Sequence, residues 1–342
     1  MATLKLMGIA AATGLAAMVA AGSASAGTLD TVKGKGMITC GVSTGVAGFS
    51  IADSTGKYTG IDADTCRAYA AAIFGDVNKV KFVPATAQQR FTLLQSGEID
   101  VLTRNTTRTL TREADLGLSF APVNFYDGQG FMVAKALNVK SAKELKGATV
   151  CVQPGTTTEL NLADFFRSNK IDFKPVVIEK LDEVENAFFS GRCDAYTTDR
   201  SGLASTRISK APKPDDYVVL PDVISKEPLA PAVRRGDDEW YTVIEWVQYA
   251  MLEAEERGIT SKNVDDMLKS DDPNVKRLLG VTPGMGKSLH LDEKWAYNAI
   301  KLVGNYGETF DRNVGKDSAL KLERGVNELW TKGGLMYGMP VR

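Results

Sequence analysis

Histidine is almost missing from this chain: there is one in 342 residues, His290. A single imidazole cannot build a zinc site without cysteine pairs, and the four cysteines contain no C-x-x-C, so no metal is expected. Net charge is missing too. Lys and Arg number 41 against 42 Asp and Glu, a formal −1, so no basic field draws the chain to nucleic acid or to an anionic membrane surface. Past residue 26 no apolar run is long enough to cross a bilayer, and a chain embedded in the membrane is not expected.

The first 26 residues stand apart from the rest. Lys5 opens them, "LMGIAAATGLAAMVAA" is small and apolar, and "ASA" at 24–26 precedes Gly27. That is the pattern of a secretory signal, with cleavage expected after Ala26 and a mature protein in the periplasm. A retained anchor is the rival reading, but Gly22 and Ser23 cut the apolar run short. Export makes an even set of cysteines legible as disulfides. Of the three pairings, Cys40–Cys66 and Cys151–Cys193 are favoured because each pair falls inside one proposed lobe; four free thiols remain the alternative.

The chain echoes itself. "LLQSGEIDVLT" (93–103) and "AFFSGRCDAYT" (187–197) share an apolar helix end, a Ser-Gly stop, and a strand that starts near an Asp. Upstream, "MITCGV" (37–42) and "ATVCVQ" (148–153) are short β-branched strands, each followed by a loop and a helical pattern. The strands "VKFVPA" (80–85) and "KPVVIE" (174–179) complete two strand–helix–strand units. This predicts an α/β protein of two Rossmann-like lobes: 27–134, then 135–224, then a return to the first lobe over 225–342 with a helical extension. Crossings, and so hinges, are expected near 133–138 and 223–231. A helix is predicted over 240–256, where Trp240, Val243, Ile244, Val247 and Met251 recur at helical spacing. Ligands of open α/β sheets bind beyond the carboxyl ends of the strands, which here means the cleft between the lobes.

Three stretches place donors and an acid there. In "LTRNTTRTLTR" (102–112), Asn105, Thr106, Thr107 and Arg112 offer hydroxyl, amide and guanidinium donors, and Thr109 is a plausible N-cap placing Arg112 in a first turn. The rival is a solvated face, since Arg104, Arg108 and Arg112 recur every four residues. In "VQPGTTTELNL" (152–162), Thr156-x-x-Glu159 reads as a capping box that would point the N–H groups of Thr157 and Thr158 outward. Capping alone also explains those residues. Asp199 ends "CDAYTTD" at the place Asn105 holds in the first lobe; its cation is either a ligand ammonium or neighbouring Arg200. Together these suit the carboxylate and ammonium of a free amino acid. "GVTPGMGKS" (280–288) and "GKG" (34–36) fall short of phosphate-binding patterns, and no cofactor is expected.

On these motifs the chain resembles the bacterial extracellular solute-binding proteins of the polar amino-acid class. "GIDADTCRAYAAAIFG" (60–75), "RNTTRTLTR" (104–112), "GTTTE" (155–159) and "TTD" (197–199) resemble that family's helix start, arginine loop, carboxylate cradle and ammonium-binding acid. The resemblance covers residues 30–260, and the tail resembles the subgroup that binds amino acids generally. It implies a two-lobed periplasmic-binding-protein type II fold, closure on a free L-amino acid, and delivery to the membrane subunits of an ABC importer by a monomer. Arg112, Thr107 and Thr157 would hold the α-carboxylate with Thr158, while Asp199 and the carbonyl of Asn105 would hold the ammonium. Arg90, in "AQQRFTLLQSG", resembles an arginine of acidic-amino-acid binders, and Phe49 closes a first loop that carries no acid, against strict selectivity for lysine or arginine. A dehydratase-like enzyme of the same fold and a sensor module are the rivals.

Overall fold

A computed structural model describes residues 27–342; the expected signal segment, 1–26, lies outside the described residues. Two five-stranded sheets carry the chain. The first runs, edge to edge, Val80–Pro84, Ile38–Val42, Val101–Leu102, Ala232–Arg234, Leu118–Phe120. The second runs Lys174–Val177, Thr149–Val152, Ala195–Asp199, Gln129–Ala134, Tyr217–Val219. In each, the first three strands are parallel and the fourth is antiparallel to its neighbours. Every residue of Ile38–Val42 is buried, as an apolar run inside a sheet covered on both faces should be.

The echo in the sequence is a structural repeat. Gly97 and Gly191 both stop a helix with φ near +80° (+81° and +79°), a conformation that glycine adopts without a Cβ clash. Asp100 and Asp194 then do the same work: each accepts a backbone N–H at the start of the neighbouring strand, from Thr39 at 2.8 Å and Thr149 at 2.7 Å. The disulfides Cys40–Cys66 and Cys151–Cys193 each stay within one lobe, as expected.

The strand Gln129–Ala134 pairs with Ala195–Asp199, so the chain has entered the second lobe before residue 129. The crossing expected at 133–138 therefore lies inside that lobe. The crossing itself is Phe125–Asp127, paired antiparallel with Glu227–Leu229 of the return segment, which falls within the expected 223–231. Two short strands side by side are the only sheet structure linking the lobes among the described residues. The predicted helix is present as Asp238–Glu256, capped by Asp237, with Trp240, Val243, Ile244 and Val247 in the first lobe's core. The tail packs on that lobe as well: Trp295–Val303 lies against helix Ile61–Phe74, and Tyr306–Asn313 against Asp238–Glu256. Farther on, the Asn327 amide brackets the backbone of Tyr126 on the crossing strand, at 2.6 and 3.0 Å.

Candidate functional site

Where the strands of both sheets end, the lobes meet around a cavity. Arg90, Arg104, Asn105 and Thr107 line it from the first lobe, and Thr157, Thr158 and Asp199 from the second. Its volume is about 40 Å³, well short of the roughly 150 Å³ that admits a benzene ring, so the lobes are nearly shut. Bonds across the cleft hold them there: Thr86 donates to Glu179 at 2.9 Å, and the Thr107 and Thr157 hydroxyls lie 3.4 Å apart.

The arginine loop is built as predicted, but only in part by helix. Thr109 caps the short helix Leu110–Ala114 by accepting from the Arg112 N–H, and Arg112 donates to the Thr107 carbonyl at 2.6 Å. The every-four spacing misleads here, because Arg104 and Arg108 precede the helix. Arg104 and Arg112 are buried, whereas Arg108 is exposed and paired with Glu113 at 2.9 Å. Across the cleft Thr156 accepts from the Glu159 N–H at 3.0 Å, but Glu159 returns its carboxylate to Gly155, so the capping box is half formed.

Glu227 joins the two halves and was missed in the sequence. Its carboxylate accepts from Thr107 in the first lobe at 2.5 Å, and from Thr157 and Asn161 in the second at 2.8 and 2.9 Å. Ser225 adds a fourth donor. Burial pushes the Arg112 guanidinium down to about 10, and the negative charge of Glu227 works against that fall. Both threonine hydroxyls are thus committed to Glu227, which leaves the N–H groups at the start of helix Thr157–Ser168 as the free donors of the second lobe.

Asp199 is buried and, among the described residues, forms no ion pair. Burial, then the carboxylates of Asp127 and Glu227, holds its carboxyl well above the usual range. The bland alternative fails: Arg200 turns away and donates to the Leu220 carbonyl at 2.7 Å. The Asn105 side chain faces Asp199 instead. Asn105 takes φ +25°, and its N–H is held by Asp62 at 3.0 Å, a carboxyl that burial raises to about 6. Asn105 thus combines an uncommon backbone conformation with an unbonded Oδ1 in the cleft.

Arg90 also lies in the wall, buried, its Nε unbonded and its guanidinium 4.7 Å from the Phe91 ring centre. Phe49 does not reach the cavity. It is 1% exposed and packs edge-on against Phe125 at 5.3 Å, in the first lobe's core. Two other motifs are satisfied internally. The Gly284, Gly286 and Lys287 N–H groups of "GMGK" all bond the Glu293 carboxylate. Gly41-Val42-Ser43-Thr44-Gly45 has nucleophile-elbow spacing, but the Ser43 hydroxyl is fully buried against Ser50, and His290 is exposed and paired with Glu239.

Residues 38–265 match the bacterial extracellular solute-binding proteins, family 3. The chain belongs to that family. It is 56% identical over 337 residues to the general L-amino acid-binding periplasmic protein AapJ of Rhizobium johnstonii, covering 98% of each chain. It is 54% identical over 327 residues to the putative amino-acid ABC transporter-binding protein YhdW of Escherichia coli, covering 95% of this chain and 96% of that one. In structure it resembles an ABC transporter periplasmic binding protein of Brucella ovis with glutathione bound, at TM-score 0.91 and 54% identity over 93% of this chain and all (100%) of the other. The cleft of this family 3 fold is lined by one buried acid, Asp199, and two buried guanidinium groups, Arg90 and Arg104.

Proposed function

We propose that this protein is the periplasmic receptor of an ABC importer, capturing free L-amino acids of several kinds by closing its lobes and presenting them to the membrane permease. The observation that carries this reading is Asp199: a buried acid, at a strand end in the cleft, that forms no ion pair among the described residues although the Arg90 charge acts on it. A ligand ammonium supplies that cation. The α-carboxylate then meets Arg112, the Thr107 backbone and the N–H groups of Thr157 and Thr158, with the Asn105 carbonyl beside the ammonium. A ligand that touches both lobes binds the closed state best and shifts the population toward it. The crossing strands Phe125–Asp127 and Glu227–Leu229 are the hinge of that motion. No catalytic step is part of this reading, and one copy of the chain contains every group it uses.

Glutathione is a second candidate ligand, because its γ-glutamyl end keeps the same free α-carboxylate and α-ammonium, and a 54% identical structure holds it. The test is a thermal-shift panel of the twenty amino acids and glutathione, on protein unfolded and refolded to strip bound ligand. Ligand at about 100 times its Kd should stabilise by about 2.7 kcal/mol. Shifts with chemically different amino acids are expected; a panel without any response discards the reading.

A further inference from the structure

Asp62 sits in the first turn of helix Ile61–Phe74 but does not cap it. Gly60, the N-cap, receives no side-chain bond, and the Asp62 carboxylate reaches across to the cleft loop instead, where Oδ2 accepts the Asn105 N–H at 3.0 Å. That N–H has no other partner among the described residues. Two residues on, Asp64 is spent within the first lobe on Arg67, Arg312 and Asn313. Asp62 is 2% exposed, and an acid so deeply buried is costly unless its bonds offset the loss of water. Asn105 is held at φ +25°, a conformation that costs a residue with a side chain about 1–3 kcal/mol and persists only where its surroundings fix it. Three other groups face the Asp62 carboxylate: the Arg104 guanidinium from the same loop, the unbonded Tyr69 hydroxyl from its own helix, and the Asn124 side chain beside the crossing strand. Burial raises the carboxyl to about 6, against the pull of the Asn105 N–H, Arg104 and Asn124.

From this geometry we infer that Asp62 is a positioning residue for the ligand ammonium, holding Asn105 in the turn that faces Asp199 before any ligand arrives. This rests on the zwitterion reading above, which puts the ammonium between Asp199 and Asn105. Without its acceptor Asn105 relaxes to commoner backbone angles in the ligand-free protein. Only a fraction of molecules is then ready to bind, and the apparent Kd rises by the inverse of that fraction. A protonated Asp62 is a poorer acceptor, so this readiness is complete above about 6 and is lost as pH falls through it. The bland account is that Asp62 only anchors the loop to the first lobe.

Titration calorimetry of L-glutamine, L-glutamate and L-alanine on stripped protein separates the two. Asp62→Ala should weaken all three at least about tenfold, since the ammonium is common to them. Asp62→Asn, whose amide oxygen still accepts the Asn105 N–H, should stay within a factor of about three of the wild type above pH 6. Below that pH the wild type alone should lose this contribution, so the ratio of the two Kd values should change. Asp199 is present in both proteins, and its own proton cancels from the ratio. An alanine variant that binds as the wild type does overturns the inference, as does an asparagine variant that loses as much as alanine. A ratio that stays flat through pH 6 also overturns it, and decides the matter should the alanine variant not fold. In each of these cases the amino-acid receptor stands. A wild type that binds no amino acid overturns the receptor reading, and this inference with it.

Discussion

A carboxyl that is raised and unpaired makes a proton part of ligand binding. Asp199 keeps its proton at a pH where an ordinary aspartate has lost it, because burial and two neighbouring acids disfavour its charge. Only the ionised form pairs with an ammonium. Binding should therefore expel a proton, and affinity for every amino acid should fall as pH falls through the folded-state value. Calorimetry in two buffers of different ionisation heat reads the released proton directly; identical apparent enthalpies would contradict the assignment. Asp199→Asn should remove the proton release and weaken all amino acids alike by about 2–5 kcal/mol, the cost of truncating one partner of a buried charge pair. Loss confined to one side-chain class would mean that the ligand lies the other way round.

Among the elements, the two strand–helix–strand units are stapled separately. Cys151–Cys193 closes 42 residues and Cys40–Cys66 closes 26. Chain-entropy arguments put each at about 3–4 kcal/mol. Replacing Cys151 and Cys193 together by alanine should lower unfolding stability by about that amount while leaving the first lobe's staple intact, as a denaturant titration would show. An unchanged midpoint would mean that the second lobe does not use its bridge. The pairing was legible because each pair falls inside one lobe: Cys40 and Cys151 sit in strands, Cys66 in the helix Ile61–Phe74 and Cys193 just before the strand Ala195–Asp199. The same short-range patterns disclosed the Ser-Gly stops, the helix over 240–256 and the caps at Thr109 and Thr156, each a matter of neighbours within one or two turns.

At the scale of the molecule, Glu227 is the joint. It sits on a crossing strand and receives hydroxyls from both lobes, so it favours the shut arrangement before any ligand arrives. Glu227→Ala should open the ligand-free protein, raising its radius of gyration in solution X-ray scattering, while the amino-acid-bound form stays compact. A ligand-free variant as compact as the wild type would assign the closure to other contacts, such as Thr86 with Glu179. The tail bears on the same joint, for Asn327 grips the other crossing strand at Tyr126.

The sequence by itself determined the two-lobed α/β class and the repeat, favoured the disulfide pairs, and held the chemistry of the cleft's donors, because all of these are written in spacings of a few residues or in the likeness of one half to the other. Only the tertiary structure decided which donors face the cavity. Arg104, Arg108 and Arg112 look alike along the chain, yet a helix over Leu110–Ala114 alone breaks their apparent period, burying two and exposing the third. Phe49 looked available and is core. Glu227 meets Thr107 across 120 residues of sequence. Which groups meet at such separations depends on how the two sheets dock, and local sequence patterns do not encode that.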